Sequence, residues 1–235
     1  MSVFRAIVFA AVVAGAVVGI VVTLAQHFGT VPLILKGEVY ERAAEEAAPH
    51  SPAPATHEDG AHAHETAAWQ PQEGFERNAF TAAANVLTAI GFALLLAGIF
   101  TLRGRTVTWY DGLLWGLCGF LVFTVAPGLG LPPELPGVPS APLGMRQVWW
   151  VATAAATAGG LALLFLRRSP WAAVLGLCLI AAPHAIGAPH LEHVHTDVPE
   201  ALSRQFIAAV TLTSLLFWAL LGSLTSICYR RFSTA

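Results

Sequence analysis

The 235-residue chain predicts an all-α polytopic membrane bundle of about six transmembrane helices, or five if the first or fifth apolar stretch does not span. Three observations carry that reading. The composition is 56% hydrophobic and only 11% charged, against about 25% charged in soluble domains. Windows free of Lys, Arg, Asp and Glu recur along the chain, and several approach the roughly 20 residues that a helix needs to cross a bilayer core. The arginines come in short pairs between apolar runs rather than as a basic stripe, and the net charge is -2, so nothing suggests a nucleic-acid partner.

The first span is expected at 3–25. Arg5 precedes an apolar run from Ala6 to Ala25; this exceeds the roughly 7 to 15 residues of a signal-peptide core, so a retained anchor is preferred to a signal cleaved near "TLA". The second span, at 78–102, carries Arg77, Thr81, Asn85 and Thr88 at i, i+4, i+8 and i+11, one polar helical face. The third, at 107–127, runs into "APGLGLPPELPGVPSAPLG", too proline-dense for regular helix and expected to cap the bundle with Glu134. The fourth lies at 147–166. The fifth, at 170–188, is short and carries Pro183, so a kink or break is expected near its end. The sixth lies at 206–228. All belong to one membrane domain, 1–235, with a flexible His/acid-rich linker at 43–74. Gly/Ala stretches such as "GFALLLAGIF" and "TAAATAGG" are expected to let helices approach closely.

Counting basic residues in alternate loops orients the bundle. Arg5, Arg103, Arg105, Arg167, Arg168, Arg230 and Arg231 fall on one side, in very short segments; Lys36, Arg42, Arg77, Arg146 and Arg204 fall on the other. Both termini are therefore expected in the cytoplasm. Of the 14 acidic residues only Asp111 shares their side, and all nine histidines lie outside or at the outer edge.

That sorting gathers metal-ligand chemistry on one face. "APHAIGAPHLEHVHTDVPE" holds His184, His190, His193 and His195, interleaved with Glu192 and Asp197. His190 and His193 share a helical face, and His195 joins them only if the chain unwinds between Pro189 and Pro199. Imidazole with carboxylate suits first-row divalent ions; the competing reading is a solvated polar loop. Glu38 and Glu41, at i and i+3 in "GEVYERAAEE", offer oxygen ligands if their helix continues outward; a solvated face is again the alternative. His57, His62 and His64 sit among acids in the linker, suited to auxiliary cation capture or simply to solubility. Gln26 and His27 with Arg77, Thr81 and Asn85 are candidates to line a pathway, although Thr and Asn more commonly join helices by hydrogen bonds. Arg77 fits such a path only if a carboxylate pairs with it, with Glu38, Glu41 or Glu76 within reach in sequence.

Absences narrow the function further. No Asp, Glu, Lys or His lies mid-span, and no Walker loop, kinase motif or nucleophile elbow occurs, which argues against ATP hydrolysis. Cys118, Cys178 and Cys228 are isolated within or beside apolar runs, without CxxC spacing.

Longer stretches are similar to a known family: "TVPLILKGEVYE", "TAAANVLTAIGFALLLAG", "GLLWGLCGFLVFTVAPGLGLPPELPG", "RQVWW" and "APHAIGAP" resemble the predicted cobalt transporter subunit CbtA of bacterial membranes, across most of the chain. The resemblance implies a multi-pass protein of the inner membrane. It also implies Co²⁺ as cargo rather than a permanently bound cofactor, a link to cobalamin supply, and a small single-span partner subunit with a histidine motif. It supplies no binding residues, and its implied five spans differ from the six read from hydropathy. The expected function is uptake of a divalent metal. A membrane-embedded metalloenzyme built on the outer histidines, or a delivery scaffold without flux, remains the alternative.

Overall fold

A computed structural model describes residues 2–47, 71–72, 74–167, 169–191 and 195–233, with no β-strand among them. The helices are α1 (Val3–Phe28), α2 (Val31–Ala47), α3 (Phe75–Arg103), α4 (Trp109–Phe120), a π-helical turn (Leu121–Val125), α5 (Ala126–Gly130), α6 (Leu143–Leu166), α7 (Pro170–Ile186) and α8 (Glu200–Ser233).

The burial pattern is that of a chain in lipid. On α1 the buried positions are Ala6, Ala10, Ala11, Ala14, Gly15, Val18, Gly19 and Val22, while Phe9, Val17, Ile20 and Leu24 face outward. Lipid tails solvate large apolar side chains as well as a core does, so small residues take the seams, where close backbone approach gains dispersion contacts. α1 packs antiparallel on α3: a methyl on Gly15 would collide with Ile90, and one on Gly19 with Val86. α4 packs antiparallel on α8 through Gly112 and Gly116 against Gly222, Ser226 and the Trp218 carbonyl. α6 and α7 form a hairpin closed at Gly160 and Gly176. Of the two stretches expected to mediate close approach, "TAAATAGG" does so through Gly160. In "GFALLLAGIF" Gly91 and Gly98 face open space, and the buried Ala93 and Ala97 of α3 serve instead.

Five helical segments are long and apolar enough to cross a membrane: α1, α3, Trp109–Gly130, α6 and α8. The expected fifth span is the short one. α7 has 17 residues, about 25 Å of helix, and is capped by Gly187 with φ +91°, four residues past Pro183. It still runs the length of the hairpin, because Trp149 near the start of α6 donates Nε1–H to the Pro183 carbonyl at 3.2 Å. That return brings α8 in at the same end as the start of α6. The helix directions therefore put Arg5, Arg103, Arg105, Arg167, Arg230 and Arg231 at one end of the bundle. Glu38, Arg77, Glu134, Arg146 and the described histidines lie at the other.

Two elements differ from the hydropathy reading. The third span is not one regular helix: the Ala126 N–H reaches back five residues to the Leu121 carbonyl, a π-turn just ahead of Pro127. Proline lacks an N–H and crowds the preceding turn, so the ladder shifts register there. α8 starts six residues before the expected apolar boundary, because its polar first turns project beyond the apolar span and bury Leu202 and Phe206 against Leu135 and Val198.

Candidate functional site

The ligand-bearing end is built on the proline-dense loop 131–142. Leu135 is buried with Val198, Leu202 and Phe206, and Leu33, Ile34 and Tyr40 of α2 pack against this cluster. α2 is therefore no continuation of α1. The chain turns at Gly29 and Thr30, with the Thr30 N–H on the Gln26 carbonyl, and α2 lies across the loop. The fit is close: a methyl on Gly37 would meet the Pro136 carbonyl oxygen at 3.2 Å, and one on Gly137 the Glu41 amide at 3.1 Å and Val198 at 3.3 Å. Gly137 has φ +82°, a conformation that favours glycine. From the other side Thr196 donates its hydroxyl to the Gly137 carbonyl at 2.9 Å and accepts the Val198 N–H at 3.2 Å. The carboxylate helix and the end of the histidine segment thus share one floor, with Glu41 and Thr196 meeting at Gly137.

Beside this cap the pairing that the sequence required of Arg77 is present. Its guanidinium donates to both oxygens of Glu38, Nη2 to Oε1 at 2.6 Å and Nη1 to Oε2 at 3.5 Å. Arg42 adds a looser contact to Glu38 at 3.6 Å, and the Glu38 side chain is 16% exposed. Through its two-point contact with Arg77, Glu38 joins α2 to α3. One turn deeper, Thr81 donates its hydroxyl to the Arg77 carbonyl at 2.8 Å. Deeper again, the Asn85 amide donates to Gln26 Oε1 at 2.6 Å and to Thr23 Oγ1 at 3.0 Å. The polar face of α3 therefore meets α1. Thr23 was missed from sequence, although it lies three residues before Gln26 on the same face of α1. Thr88 is exposed.

Elsewhere the cap holds a second ion pair, Arg146 to Glu134 at 2.8 Å, with Arg146 also donating to Ser140 at 2.8 Å. Glu134 thus closes the loop onto α6. His184 is half-buried in the last turn of α7, edge-on to Trp149 with centroids 5.8 Å apart. His190 and His195 are exposed, as is Glu41. His27 is exposed and packs edge-on to Phe28. His57, His62, His64, Glu192 and His193 lie outside the described residues. Among the described residues, no three His, Cys, Asp or Glu side chains converge as a metal site.

These features define a multi-pass helical membrane protein with its described histidines and most of its described carboxylates gathered over one end and an arginine-rich rim over the other. Comparison with known proteins gives the family: a family model described as probable cobalt transporter subunit matches residues 4–230. The chain belongs to this CbtA family. No curated protein and no solved structure matches it.

Proposed function

We propose that this chain is the membrane subunit through which a divalent transition metal, Co²⁺ by its family, is taken up across the bacterial inner membrane. Both termini and the arginine-rich end lie in the cytoplasm. Outer groups collect the ion: His184, His190, His193 and His195 with Glu41, while Glu38, itself a candidate ligand by sequence, neutralises Arg77 at the mouth. The linker histidines His57, His62 and His64 raise the local cation concentration. Gln26, His27, Arg77, Thr81 and Asn85 lie along the seam inward from the cap.

The observation that carries this reading is the shared floor at Gly137, where the carboxylate helix and the histidine segment meet. The Glu38–Arg77 pair removes the objection that a bare guanidinium would repel the cargo. Ligand chemistry alone would favour Ni²⁺ or Cu²⁺ over Co²⁺, so the cobalt assignment rests on the family. No nucleotide-binding motif is present to drive the step. An inside-negative potential of about 100 mV gives a doubly charged ion roughly 4.6 kcal/mol. The partner is a small single-span subunit bearing further histidines.

The test is cobalt uptake into proteoliposomes under an imposed inside-negative potential, with and without that partner. Potential-dependent uptake that falls at least tenfold when His184, His190, His193 and His195 are replaced together by Gln is the expected result. Tight metal binding with no flux in either preparation would refute transport and leave a delivery scaffold. Hydrolytic or redox turnover with stoichiometric metal would mark an enzyme.

A further inference from the structure

A cavity of about 840 Å³ opens between the α4–α5 segment, α6 and α8, away from the α1–α3 polar seam. One face of each flanking helix lines it: Gln147 and Val151 of α6, Ile207, Thr211 and Ser214 of α8, with Thr124 of the π-turn between them. Val151 is eight residues into α6, so the cavity reaches roughly 12 Å along that helix, near the middle of a core about 30 Å thick.

Three physical features separate it from a simple lipid-filled gap. Elsewhere in the bundle the buried hydroxyls of Thr157 and Thr225 have no partner among the described residues, while those of Thr23, Thr81, Thr101, Thr153 and Ser223 are satisfied by the carbonyl four residues back. Thr211 does the same, but among the described residues Thr124, Gln147 and Ser214 make no side-chain hydrogen bond. Three polar groups left unpaired in hydrocarbon are costly, and water relieves that cost. The π-turn adds to this: Pro127 offers no N–H to the carbonyls four and five residues before it. Finally, among the described residues the one charge in the wall, Arg146, is held by Glu134 and Ser140.

The cavity is floored by aromatic rings. Phe123 stacks on Trp218 with centroids 5.4 Å apart and planes 6° from parallel, and lies 6.0 Å from Trp150. Beyond the floor the α4–α8 seam is closed by Gly112, Gly116 and Gly222.

We propose that this cavity is a water-filled vestibule, open toward the ligand-bearing end, that holds a hydrated divalent cation through the neutral oxygens of Thr124, Gln147, Thr211 and Ser214. The volume suits the occupant: six waters at about 30 Å³ each occupy roughly 180 Å³, leaving room for outer-sphere water. Neutral oxygens bind the ion's water shell weakly, which lets the ion leave again. The proposal rests on the transport reading and adds an aqueous cation site at α4–α6–α8, separate from the α1–α3 seam.

The test uses the full chain with Cys118, Cys178 and Cys228 replaced by Ser, into which Ser214→Cys, Thr124→Cys or, as a lipid-facing reference, Leu212→Cys is introduced. A cationic, membrane-impermeant methanethiosulfonate is applied to proteoliposomes with and without millimolar CoCl₂. Expected are modification at positions 214 and 124 at least tenfold faster than at 212, and a severalfold slowing by Co²⁺. Reaction no faster than at 212 would mean that lipid or a partner helix fills the cavity, and would overturn the proposal. Fast reaction without Co²⁺ protection would leave a water pocket that is no cation site, and would equally overturn it. The readout needs no flux, so protection without transport would sink the transport reading alone, and transport without protection the vestibule alone.

Discussion

Arg77 and Glu38 decide what kind of mouth the polar seam has. Glu38 holds Arg77 in a two-point contact where both are partly withdrawn from solvent, their side chains 35% and 16% exposed. Removing one member takes from the other its two-point partner and is expected to cost more than removing both. Glu38→Gln or Arg77→Gln alone is therefore expected to lower stability by about 1 kcal/mol and cobalt uptake severalfold, whereas the double replacement restores uptake to within about twofold. A double mutant more impaired than either single would show that Glu38 binds cargo directly. The i, i+4, i+8 spacing on α3 was enough to read Arg77, Thr81 and Asn85 as one face, and the need for a carboxylate near Arg77 followed from charge alone. That Glu38 answers it, rather than Glu41 or Glu76, depended on how α2 folds back, which helical spacing does not encode. Thr23 was missed for the same reason: its role is set by the Asn85 amide on a different helix.

The helices are joined by glycine where backbones touch and by alanine where they nearly do. At Gly116 any side chain would enter the Trp218 carbonyl, and at Gly222 the Gly112 carbonyl, whereas Gly98 faces open space. Gly116→Leu and Gly222→Leu should each cost about 1–3 kcal/mol by overpacking and lower the detergent melting temperature by several degrees. Gly98→Leu should leave it unchanged or raise it, through better helix propensity. Equal losses at all three positions would refute the seam assignment. Composition announced small residues at interfaces but not which ones, since Gly98 and Gly116 stand in equally apolar runs. The π-turn was hidden for a related reason: hydropathy registers that 109–130 is apolar, not that Pro127 shifts its hydrogen-bond ladder.

Across the whole molecule the described helices run the length of the bundle six times, five of them in segments long and apolar enough to cross a membrane and once in the shorter α7. An even count returns the C-terminus to the end where α1 begins, beside Arg103 and Arg105. Phe9 against Phe232 and Thr101 against Tyr229 at 2.9 Å hold that end together. In intact cells, a cysteine at Gly144 is expected to react with an impermeant maleimide from outside and one at Thr106 only after permeabilisation; the reverse would invert the orientation, and labelling of both from outside would remove the Trp109–Gly130 segment as a traverse.

The sequence by itself determined that the chain is an all-helical membrane bundle, that paired arginines in short segments mark one end of it, and which face of α3 is polar. Each of these depends on residue type and spacing along one chain, which hydrophobic burial and helix geometry convert directly into structure. Only the tertiary structure decided that Glu38 balances Arg77, that α2 and the histidine segment meet at Gly137, and that a cavity with unpaired oxygens opens beside α6 and α8. Those depend on contacts between residues tens to more than a hundred positions apart. Their geometry is set by how closely particular glycines let backbones approach and by where proline breaks a helix, not by hydropathy.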